Sequence, residues 1–153
     1  MMDMKIPIKY GLLITLGVMA WVLISHALVP NPNSVVHAAG APIFFNILQF
    51  VMIYLGLRAK ERAFGDRQDF KKGLKTGVTF SFVYGLTASI FFVVLLVVGG
   101  PRWLEGEPGA PTSPIGIVAA QAFVGLFLSA LFLGLIYSAL ISFFLAKRQS
   151  EEV

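Results

Sequence analysis

Three stretches of this chain, Tyr10–Val29, Ala38–Leu57 and Ile115–Leu145, together with the core of a fourth, Val78–Val98, carry no Asp, Glu, Lys or Arg. The first of them, wound as a helix, is roughly 30 Å long, the thickness of a bilayer core. Hydrocarbon cannot satisfy a backbone N–H or C=O, so a stretch that crosses it must satisfy its own, and the helix does this within one segment. The pattern predicts an all-α membrane protein: a single four-helix transmembrane domain over residues 1–153, with spans of about 10–29, 38–57, 73–99 and 115–145. Pro42 is acceptable in the second span because a first-turn N–H has no helical partner to lose. Gly99-Gly100-Pro101 stops the third. The fourth, at roughly 46 Å, must tilt or project beyond the hydrocarbon.

Composition rules out a water-soluble reading. With 57% hydrophobic and 13% charged residues, the chain lacks the polar side chains that would cover a soluble domain of this size. A cleaved signal peptide is a competing reading of the first segment, since Lys5 and Lys9 precede it and Val36-His37-Ala38 and Ala39-Gly40-Ala41 follow. Its apolar run is longer than a signal core of about 7–15 residues, so a retained span is expected.

Orientation follows from the basic residues. Lys5 and Lys9 precede the first span, seven more (Arg58, Lys60, Arg62, Arg67, Lys71, Lys72, Lys75) lie in the loop 58–75, and Lys147 and Arg148 follow the fourth; the opposite side holds only Arg102. The positive-inside rule then places both termini and the loop 58–75 in the cytoplasm. The same seven side chains are candidate contacts for anionic lipid headgroups, each worth about 1 kcal/mol near such a surface. They explain the net charge of +4 without nucleic acid as a partner. The opposite loop, Gly99–Pro114, holds four prolines and four glycines and reads as a connector, with Trp103 as a headgroup anchor.

Gly56-Leu57-Arg58 closing one span, a short charged loop with Gly65, and Asp69-Phe70-Lys71-Lys72-Gly73-Leu74-Lys75-Thr76-Gly77 opening the next resemble the domain of unknown function 4199 family, small bacterial four-span membrane proteins. The likeness extends back to Tyr10-Gly11 and implies topology and a bacterial inner-membrane location but no activity. Independently of it, Asp69 is expected to cap the third helix through its carboxylate.

Little in the sequence points to chemistry. There is no cysteine, which excludes disulfides, thiolate metal sites, cysteine nucleophiles and S-palmitoylation. The span cores hold no charged group of the kind that marks proton relays. No zinc-protease, nucleophile-elbow, P-loop or dinucleotide motif occurs. No catalytic residue, metal or cofactor is expected, and His26 is the weak candidate for a haem or pigment ligand.

Two patterns remain. Ser25, His26, Asn46, Gln49 and Gln121 share the outer half of the membrane, where they either make ordinary interhelical hydrogen bonds or form a polar cluster or small outward-opening pocket. Gly73, Gly77, Ser81, Gly85 and Ser89, and likewise Ala130, Gly134, Ser138 and Ser142, recur every four residues and are expected to pack spans three and four together, or to form a homodimer seam. The reading that follows is a non-enzymatic accessory or scaffold subunit that binds lipid and either itself or other membrane proteins. The alternatives are a small oligomeric channel, exporter or lipid-handling protein, and a pigment- or haem-binding subunit.

Overall fold

The computed structural model describes residues 5–29, 34–64, 69–100 and 114–151. It contains four long helices: α1 (Lys5–Leu28), α2 (Ala41–Phe64), α3 (Phe70–Gly99) and α4 (Ile115–Glu151). All four are long and apolar enough to cross a membrane.

Hydropathy marks where lipid ends and hydrogen bonding marks where a helix ends, and here the two differ. The stretch 58–75 is not a loop throughout: α2 runs on through Arg58 to Phe64 and α3 begins at Phe70, so most of its charge sits on helical extensions. Arg67, Arg102, Trp103 and most of the Gly99–Pro114 connector lie outside the described residues. Backbone groups need helical partners whether or not lipid surrounds them, which carries these helices past the apolar windows.

Each helix end has a local cause. The second span does not start as an α-helix at Ala38. A π-helical turn, Val36–Gly40, precedes α2, and the Ala41 N–H bonds the Val36 carbonyl. Pro42 supplies no N–H and its ring crowds the carbonyl four residues back, so the wider turn takes the place of a regular one. Asp69 occupies the cap position of α3 with extended backbone angles, but its side chain makes no capping bond. Its carboxylate is 75% exposed, 4.0 Å from Lys72, where water and a lysine compete for it. The cap is made by the backbone, with the Gly73 N–H donating to the Asp69 carbonyl at 2.9 Å. α3 ends at Gly100, whose φ of 73° suits a residue without a Cβ and turns its N–H onto the Leu96 carbonyl.

The chain enters and leaves the bundle so that α1 and α3 run one way and α2 and α4 the other. α3 and α4 form the most extensive pair, α1 packs on α2 and α3, and α2 lies against both later helices. Two apolar clusters fill the interior. One gathers Ile14, Val18, Val22, Tyr84, Ala88 and Ala130. The other, nearer the end that carries the basic residues, gathers Ile53, Leu57, Phe80, Ile141 and Leu145. The outer surface is apolar too, with Leu16, Ile43, Val94, Phe132 and Phe144 all more than half exposed. Such a surface is stable in lipid and costly in water.

Candidate functional site

A seam of small and polar side chains runs between α3 and α4, and α2 packs against it. Gly73, Gly77, Ser81, Gly85 and Ser89 on α3, and Ala130, Gly134, Ser138 and Ser142 on α4, are all buried. They meet in antiparallel register. A Cβ added at Gly77 would lie 2.5 Å from the Ser138 Cβ, one at Gly85 would lie 3.1 Å from the Ala130 Cβ, and one at Gly134 would collide with the Ser81 side chain. The four-residue repeat keeps these positions on one face of each helix, and their missing bulk lets the backbones approach where dispersion contributes most.

Gly134 also opens a notch for α2. Gln49, 2% exposed, enters it, and its Nε2 donates to the Ala130 carbonyl at 3.0 Å and to Ser81 Oγ at 3.3 Å. Ser81 Oγ in turn donates to the Gly77 carbonyl. One amide therefore joins three helices. A second tie is made nearby, where Tyr137 Oη donates to Asn46 Oδ1 at 2.6 Å and Asn46 Nδ2 donates to the Pro42 carbonyl. A third is the Thr15–Thr87 hydroxyl pair between α1 and α3. Among the described residues the Ser89 and Ser142 hydroxyls are buried without a partner.

The five polar residues grouped by depth do not converge. Gln49 and Asn46 each bond α4, at different points. Gln121 is exposed. It lies nine residues before Ala130, which at 3.6 residues per turn puts it about 180° around the helix and about 13 Å away along the axis. Ser25 and His26 both bond the Val22 carbonyl of their own helix, at 3.2 and 3.0 Å. Ser25 instead lines an apolar groove of about 380 Å³ between α1 and the start of α2, walled by Trp21, Ile24, Val36 and Phe44. Trp21 stacks on Phe44 with 4.4 Å between ring centroids. His26 is exposed, and among the described residues no three His, Cys, Asp or Glu side chains gather as a metal site.

At the basic end the candidates divide. Lys60 Nζ donates to Thr76 Oγ1 at 2.6 Å, and Arg58 pairs with Glu61 at 3.2 Å. Arg62, Lys71, Lys72 and Lys75 are exposed on the helical extensions.

Sequence reasoning missed Tyr137. Helical side chains lean toward the N-terminus of their helix, so a tyrosine on α4 reaches toward the level of Asn46, a signal that was available.

A family model described as protein of unknown function (DUF4199) matches residues 9–106, well over half of the chain, covering most of α1 and all of α2 and α3. No curated protein and no solved structure matches the chain.

Proposed function

The chain belongs to the family of proteins of unknown function DUF4199, and from that premise we propose that it is a non-enzymatic accessory or scaffold subunit of a membrane complex. It sits in the bacterial cytoplasmic membrane with both termini inside. The observation that carries this reading is how the two interior amides and the side chains that meet them are used. Gln49, Ser81, Asn46 and Tyr137 bond one another or backbone carbonyls, whereas catalysis and conduction need polar groups held available to a substrate or to water. What the molecule offers outward is apolar helix surface and a basic end.

The orientation rests on that basic end, where both termini and the α2–α3 connection carry eleven of the twelve Lys and Arg residues. A fluorescent-protein fusion at the C-terminus is expected to fluoresce, and a periplasm-dependent phosphatase fused there to stay inactive. The reverse pair of results would refute the assignment. The exposed Arg62, Lys71, Lys72 and Lys75 would then face anionic headgroups of the inner leaflet.

Native mass spectrometry of the protein extracted gently from its own membrane tests the function. A stoichiometric second protein is expected, with anionic phospholipid retained. Recovery without any other protein would remove the scaffold reading. The lipid-handling alternative draws on a specific feature, the apolar groove beside Trp21 and Phe44, and a bound lipid without a protein partner would favour it.

A further inference from the structure

Gln121 faces outward from α4 six residues after its start, about 9 Å into the span Ile115–Lys147. The helix there is long and apolar enough to lie in a bilayer, and hydrocarbon offers an amide neither donor nor acceptor. The residues that share its face are Gly125, Leu128, Ser129 and Phe132. Leu128 is 58% and Phe132 65% exposed. Gly125 is also exposed, and a Cβ built on it would meet nothing within 4 Å. This strip is separate from the Ala130–Gly134–Ser138 seam, which occupies the opposite side of the same helix against α3.

We propose that this face pairs with the same face of a second copy of the chain, α4 against α4, around a two-fold axis normal to the membrane. Three properties select that occupant. The strip carries no charge, which suits a partner that is itself a membrane-embedded helix. A carboxamide is donor and acceptor at once, so two of them satisfy each other reciprocally, as an isologous interface requires. Copies inserted with the same orientation also hold Gln121 at the same depth, a match that an unrelated helix meets only by chance. Gly125, one turn further on, lets the two backbones close together below the amide pair. The inference goes beyond the scaffold reading and holds whether or not a larger complex exists.

The absence of cysteine makes the test direct. Single variants Gly125→Cys and Ser129→Cys are oxidised in native membranes, with Leu23→Cys on the exposed side of α1 as the reference (51% exposed). The close positions are expected to give a covalent dimer of twice the chain mass, because disulfides need Cα atoms about 4.4–6.8 Å apart. Leu23→Cys is expected to give little. Adding Gln121→Leu to Ser129→Cys is expected to weaken association by roughly 3-fold to 30-fold, the range that interhelical hydrogen bonds in bilayers span. No dimer from either position, equal yield from Leu23→Cys, no response to Gln121→Leu, or a product containing a different protein would each overturn the pairing. All these positions face away from the core, and an unchanged thermal midpoint of the reduced variants will show that folding is intact.

Discussion

Replacing Gly134 by leucine is expected to separate α3 from α4 and to lower stability by about 3 kcal/mol or more, the upper end of what overpacked cores lose. The side chain has nowhere to go. A Cβ at this position already collides with Ser81 and comes within 3.1 Å of Gln49 Nε2, so relief requires both later helices to shift and the amide to leave its carbonyl. At this chain length the loss corresponds to a fall in the thermal midpoint of roughly 6–12 °C, read by circular dichroism in detergent micelles. Gly116→Ala is the control, since a Cβ there meets nothing within 4 Å, and it is expected to stay within about 1 kcal/mol of the parent. An unchanged midpoint for Gly134→Leu would mean that the α3–α4 seam is not packed as described.

Truncating Gln49 is expected to have the next largest effect, and two variants divide it into parts. Gln49→Leu keeps most of the volume and removes the donor. Ser81 Oγ still donates to Gly77, and the Ala130 carbonyl keeps its place in the α4 ladder, so no acceptor is left bare. The expected cost is about 0.6–2 kcal/mol, as for other interhelical bonds in membranes. Gln49→Ala also opens a cavity at a position 2% exposed, and large-to-small core changes cost about 2–5 kcal/mol. Equal losses from the two variants would assign the whole effect to the hydrogen bonds and none to packing. Thermal unfolding of both in the same detergent decides this.

The four helices were legible because hydrocarbon leaves so few ways to satisfy a backbone, and the absence of charge alone marks their cores. The small-residue repeats were legible for a related reason: a period of four defines one helical face whatever lies opposite. The helix ends were not, since apolar windows record the extent of lipid. Residues such as Arg58 and Lys60 continue α2 past its apolar window, and a π-helical turn precedes Pro42 that hydropathy does not register. The grouping of polar residues depended on depth without azimuth. Depth places Gln49 and Gln121 in the same half of the membrane, but only the choice of inward face, made by Ala130 and Gly134 against α3, sends Gln121 outward. Asn46 pairs with Tyr137 instead.

The Gln49 bridge also bears on how the protein is made. A ribosome delivers α1 and α2 to the insertion machinery before Ser81, Ala130 and Gly134 have been synthesised, so the amide that later locks three helices together first enters the bilayer with none of its final partners. Until α3 and α4 emerge it must be shielded by water, by the machinery or by a neighbouring chain. The first half of the protein is thus its most exposed stage, and the completed α4 closes the interval by supplying both the carbonyl and the notch.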